Sequence, residues 1–241
     1  AGQSFIDRFA GQLIQPIIGV GSVFLPGAFL IFLKAIRQRN WGILAGFFWF
    51  LGMMALYAWR LPVIYQHGRY TFPSMLVFFT FSSISMVEFF QKRDRKWDWG
   101  LKFSWKVTTG LILLFFWIYG ATIYTRDVSI IESEMVETAR WVAKNVDADA
   151  LLASHDIGAL GYFGQHTIVD LAGLITPDVI PFMSNEIRLR EYMDTQGVEY
   201  LVTFPGWYPD LVKGLSEIYS TNGPFSPAVG GENMSVYHWG D

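Results

Sequence analysis

Four long stretches with almost no charge set the frame for this chain. A helix needs roughly 20 apolar residues to cross the ~30 Å hydrocarbon core of a bilayer. Residues 9–33 carry no charge, although Gln12, Gln15, Pro16 and Pro26 make them the least regular of the four. Residues 40–59 follow, bounded by Trp41 and Trp59; then come 73–90, with Ser82, Ser83 and Ser85, and finally 107–124. Helices buried in a soluble core would show shorter runs or an amphipathic stripe, whereas these are apolar all round. Residues 1–126 are therefore expected to form an all-α membrane bundle of about four transmembrane helices.

The averages of 52% hydrophobic residues and net charge −3 describe neither half of the chain. Up to Arg126 the charge is basic and the apolar residues come in blocks; after it the charge is acidic and apolar runs are short. No nucleic-acid partner is expected from such a distribution. The lack of cysteine excludes disulfides and thiolate metal sites. No basic n-region leads the first apolar run, so the opening residues do not read as a signal peptide. The expectation is a processed chain or the back part of a longer one.

Basic residues also set direction. The link after the first span holds Lys34, Arg37 and Arg39, and the link after the third holds Lys92, Arg93, Arg95, Lys96, Lys102 and Lys106. Only Arg60 and Arg69 lie between the second and third spans. The positive-inside rule then places the first and third links in the cytoplasm, and the N-terminus, the 60–72 loop and residues 127–241 outside it. Trp97, Trp99 and Trp105 fit a segment at the inner membrane interface.

Residues 127–241 read as a small soluble α/β three-layer domain. Ile131, Met135, Val136, Ala139 and Val142 give residues 130–145 a helical stripe, with Glu132, Glu134 and Glu137 near the start, where the macrodipole favours anions. Short strands are expected at 150–153, 167–171, 199–204, 217–220 and 235–239, and a helix at 186–194 that stops at Gly197. Strands alternating with helices imply a mostly parallel sheet.

Few residues stand out for chemistry. His67, Arg69 and Tyr70 precede the third span on the outer side; Arg69 can grip a lipid phosphate, or simply anchor the border of the membrane. Gly158, Gly161 and Gly164 do not follow the dinucleotide-binding spacing and are expected to form tight turns. His155, Asp156, His166 and Asp170 lack metal-ligand spacing, so no metal is expected. Glu88 is expected to pair with Lys92 one turn along. No catalytic triad or P-loop pattern is present.

The order of several pieces carries more than any one of them. His67-Gly68-Arg69-Tyr70, with Pro73, precedes a span; after the last span come ETARWVAKN (137–145), DIGALGYFGQHTIVDLAGLITPD (156–178) and EYLVTF (199–204). Over roughly residues 60–205 this resembles the C-terminal part of bacterial polytopic glycosyltransferases of the GT-C type, relatives of protein O-mannosyltransferases and lipid-A aminoarabinose transferases. The resemblance implies a multi-pass protein of the bacterial inner membrane that uses a polyprenyl-phosphate-linked sugar as donor, with no covalently bound cofactor. It implies lipid-phosphate contact at His67, Arg69 and Tyr70. It also implies a structural or acceptor-binding role for Asp156, Gly158, Gly161, Tyr162, Asp170 and Gly173. The catalytic acid of such enzymes lies in an early external loop and has no match here, since the surroundings of Asp7 differ. No catalytic residue is therefore assigned. Membrane lipid, and either other membrane subunits or an N-terminal membrane segment not in this chain, are the implied partners. A non-enzymatic accessory subunit is the alternative.

Overall fold

The computed structural model describes residues 4–60, 69–93 and 96–240. The chain divides into two compact units, residues 1–120 and 121–241, and the division falls inside a continuous helix.

Among the described residues, the secondary structure of the first unit is helical: α1 (Phe5–Ile14), α2 (Val20–Gln38), α3 (Trp41–Arg60), α4 (Phe72–Gln91) and the first part of α5 (Lys96–Ile131). Among the described residues, four helical segments are long and apolar enough to cross a membrane: α2, α3, α4 and the run 98–145 that begins in α5. The first apolar stretch differs from expectation. It is broken at residues 15–19, between α1 and α2, where Pro16 lacks an amide hydrogen and Gly19 takes φ +70°. Ser4 and Asp7 cap α1 reciprocally, so α1 begins with its own N-terminal capping box.

Small residues let α2 and α4 approach closely. Gly21, Gly27, Ala28, Ile31 and Ala35 of α2 are buried, as are Ser74, Phe78, Ser82, Ser85 and Met86 of α4. Glu88 of α4 binds Lys34 of α2 at 2.6 Å. That tie runs between helices, and Lys92, the partner expected one turn along α4, adds a weaker electrostatic attraction to Glu88. Trp105 Nε1 donates to the Val23 carbonyl at 3.0 Å, with its ring edge-on to Phe24, which ties α5 to α2.

In the second unit, α5 runs through a π turn (Glu132–Val136) into α6 (Glu137–Asn145). No helix starts near residue 130, so the three glutamates are not placed at a positive helix end as expected. The extra residue of a π turn rephases the helix. Ile131 is left exposed, whereas Glu134 and Val136 are buried.

Five strands follow: β1 (Leu152–Ser154), β2 (Ile168–Asp170), β3 (Tyr200–Thr203), β4 (Ser216–Ser220) and β5 (Ser235–His238), with α7 (Glu186–Gln196) before β3. Their order is β2-β1-β3-β5-β4. β1 is parallel to β2 and to β3, whereas β5 is antiparallel to β3 and to β4, so the sheet is mixed rather than mostly parallel. The reason lies in the connections. A parallel crossover usually uses a helix of its own, and only short 3-10 turns separate β3, β4 and β5.

Alternation along the strands sends side chains to two cores. Ala153, Leu201 and Tyr237 pack with Leu189 and Met193 of α7. Leu152, Val202 and Val236 pack with Ala139 and Val142 of α6. The sheet therefore lies between α6 and α7.

Candidate functional site

In sheets of this kind, ligand sites form where parallel strands end and their loops diverge. β1, β2 and β3 end side by side, with Ser154 in register with Asp170 and with Val202. Three loops leave this edge: 155–157, 171–176 and 204–208.

The first loop carries His155 and Asp156. Ser154 Oγ donates to the Asp156 carbonyl at 3.2 Å, which tightens the turn. A short helical turn follows, and Leu160 buries its side chain in the core beneath α6. Gly158, Gly161 and Gly164 lie in this helical turn, none with positive φ, rather than in the tight turns expected. A Cβ on Gly161 would meet nothing within 4 Å, and one on Gly158 would touch only the Asp156 carboxylate at 3.8 Å. Neither glycine is required by the packing of its surroundings. Tyr162, next to Gly161, is exposed.

Asp170 and Gly173 shape the second loop. Asp170 is fully buried and accepts from the amides of Ala172 (2.8 Å) and Ile175 (2.9 Å), while its own amide donates to Thr176 Oγ1 at 3.0 Å. Gly173, at φ +80°, completes the turn. Both carboxylate oxygens are engaged, so Asp170 serves the loop.

The third loop holds two residues that the sequence reading missed. Tyr208 OH lies 2.7 Å from His155 Nδ1, and the Trp207 ring meets the imidazole edge-on at 5.0 Å. Burial, followed by the negative charges of Asp170 and Glu186, pushes the Tyr208 phenol up to about 12. Tyr208 therefore stays protonated at neutral pH, and its hydroxyl shares a hydrogen bond with His155 Nδ1. His155 Nε2 is then the ring atom left to face a ligand. Because the folded phenol titrates above the free value, its stabilising contribution is present below pH ~10 and is lost as pH rises toward 12. Tyr208→Phe is expected to remove the last phenolate step in an ultraviolet pH titration of the folded chain. Persistence of that step would show that another tyrosine produces it. The signal available in the sequence was Pro205-Gly206-Trp207-Tyr208 directly after a strand.

Trp207 also borders a cavity of about 450 Å³, lined among others by Met135, Phe204, Ser226, Gly231 and Glu232. The Glu232 carboxylate accepts from the Gly206 amide, and Ser226 Oγ donates to the Glu232 carbonyl at 2.6 Å. An exposed aromatic face thus stands beside a fixed carboxylate.

Before α4, Arg69 Nη2 donates to Tyr70 OH at 2.8 Å, and the guanidinium lies 4.8 Å from the Tyr70 ring centre. Tyr70 in turn packs on Tyr57 at 5.6 Å. His67 lies outside the described residues. Of the four groups considered for a metal, His166 turns away, with Nε2 on the Asp147 carbonyl at 3.1 Å. Among the described residues no group of three or more His, Asp or Glu is arranged to hold a metal ion.

Residues 123–237 match a family model described as a domain of unknown function (DUF8728). No curated protein and no solved structure matches the chain.

Proposed function

We propose that the chain is the C-terminal module of a GT-C-like membrane glycosyltransferase of the bacterial inner membrane. In this reading the apolar helices span the bilayer, and residues 127–241 stand outside the cytoplasm and receive the acceptor. The carrying observation is that the two motif loops leave adjacent strand ends, with His155, Trp207 and Tyr208 gathered at the same edge. Hydrogen-bonding groups beside an aromatic face suit a polyhydroxylated or peptidic acceptor. Arg69 keeps further N–H donors beyond the one on Tyr70, enough to steady the phosphate that leaves a polyprenyl-phosphate sugar. The acid that deprotonates the acceptor comes from a membrane segment other than this chain.

The test is sugar transfer from a polyprenyl-phosphate donor, measured on the purified chain with and without a longer membrane partner. Transfer only with the partner, lowered about tenfold or more by Arg69→Ala, is expected, because one lost charge-assisted contact costs roughly 1.5–3 kcal/mol. No transfer in either case, together with unchanged lipid binding by Arg69→Ala, refutes the reading.

One observation favours a second reading, an accessory subunit without activity of its own. The best apolar window of the run 98–145 is 6% buried, against 22–28% in the other three spans. Leu111, Leu114, Phe115, Trp117 and Ile118 are all exposed on it, a surface suited to further membrane helices. Purification in mild detergent separates the two: a stable partner without transfer favours the subunit, and a lone monomer rejects it.

A further inference from the structure

The cavity of about 450 Å³ beside Trp207 lies within the C-terminal unit, and its chemistry is one-sided. Met135, Phe204 and the Trp207 ring, which is 48% exposed, supply apolar and aromatic wall. Several hydrogen-bond donors along it are already engaged within the chain. The Gly206 amide donates to Glu232 Oε2, and the Ser226 hydroxyl to the Glu232 carbonyl. The amides of Trp207, Gly230 and Gly231 donate to the carbonyls of Phe204, Pro227 and Ser226.

An acceptor is left over. Glu232 is exposed, and among the described residues neither a hydrogen bond nor an ion pair occupies its Oε1. The carboxylate sits directly against the Gly206 backbone: a Cβ added there would fall 2.8 Å from both of its oxygens. No Lys, Arg or His lines the cavity. Arginines of the same unit are engaged elsewhere, Arg140 over the Phe163 ring, Arg188 over Phe182, and Arg190 on the carbonyls of Asp210 and Leu211.

Both remaining features attract the same kind of ligand. An aromatic face attracts cations through its quadrupole, and a carboxylate takes charge-assisted hydrogen bonds. A polyol both gives and takes hydrogen bonds, so it needs donors from the wall; an ammonium or guanidinium group only gives them. The acidic surplus of residues 127–241 raises the local concentration of cations further.

We infer that this cavity binds an organic cation, a primary ammonium or guanidinium group on an apolar stem. The charge pairs with Glu232, and the stem lies along Trp207 and Met135. The inference concerns the C-terminal unit alone and does not depend on sugar transfer.

The full chain in mild detergent would carry fluorotryptophan, with the Trp207 fluorine resonance assigned by its loss in Trp207→Phe. It is titrated with n-butylammonium chloride against sodium chloride at equal ionic strength. The neutral isostere n-butanol and the polyol methyl glucoside are titrated in parallel. A saturable shift of the Trp207 resonance is expected, with butylammonium bound about fivefold more tightly than either neutral probe. Glu232→Gln can still accept from the Gly206 amide and should abolish that preference. Gly206→Ala, which pushes the carboxylate aside without removing it, should reduce it; the other tryptophan resonances, unmoved, show that both variants keep the fold. No saturable shift, equal affinity for n-butanol, or a preference that survives in Glu232→Gln overturns the inference. So does tighter binding of methyl glucoside, which assigns the cavity to a polyol.

Discussion

Glu134→Ala is expected to destabilise the C-terminal unit by about 3–5 kcal/mol, the largest effect of any single polar substitution there. The carboxylate is fully buried. It accepts from Thr221 Oγ1, from Asn233 Nδ2 at 3.1 Å and from the Met234 amide at 2.9 Å. These donors lie on the segment joining β4 to β5, so one side chain of the π turn fixes that connection to the helix. Removal loses the hydrogen bonds to the carboxylate and leaves the buried Met234 amide without a partner, and the second cost adds to the first. The melting midpoint, followed by near-ultraviolet circular dichroism, should fall by roughly 10–20 °C. Thr221→Val removes one donor and leaves the others paired, so about 1–2 kcal/mol is expected. Glu134→Gln keeps the shape but turns an amide donor toward existing donors, and should fall between the two. A Glu134→Ala midpoint within a few degrees of the parent would contradict this account.

Glu134 also marks a limit of what the sequence discloses. An acidic residue near the start of an apolar stripe reads as a first-turn residue favoured by the macrodipole. That reading fails because α5 continues through the π turn, and a local pattern cannot reveal where a helix is rephased by one residue. Strand positions were more legible: EYLVTF and the gap to Gly197 locate β3 and the end of α7 to within a residue or so, since period and turn residues are local signals. The sheet's mixed direction was not legible, because pairing depends on how β5 returns between β3 and β4. The same division holds at the candidate site. Asp170 and Gly173 were singled out as a motif, and their role proves to be loop geometry. Trp207 and Tyr208 were passed over because nothing in the chain order brings them to His155; adjacency of β1 and β3 does.

Within the helical unit, Gly27→Val should force α2 and α4 apart. A Cβ on Gly27 would collide with the Ser82 backbone oxygen and come within 2.7 Å of Met86 Cγ. Met86 is flexible at its far end, but the Ser82 carbonyl belongs to helix backbone and cannot rotate away. Relief therefore requires α2 and α4 to separate, which unpacks the buried small residues along both helices. Lys34 lies seven residues further along α2, so its bond to Glu88 should weaken as well. Overpacking of this kind costs about 1–3 kcal/mol where neighbours can adjust, and more where the obstacle is backbone. Gly52→Val in α3 is the matched control. It makes the same change in helix propensity, but nothing lies within 4 Å of the added Cβ. On heating in mild detergent, the Gly27 variant should lose its monodisperse elution well below the parent, and the Gly52 variant should track the parent. Equal losses would mean that helix propensity, rather than contact between α2 and α4, governs both, and close packing through Gly27 would have to be given up.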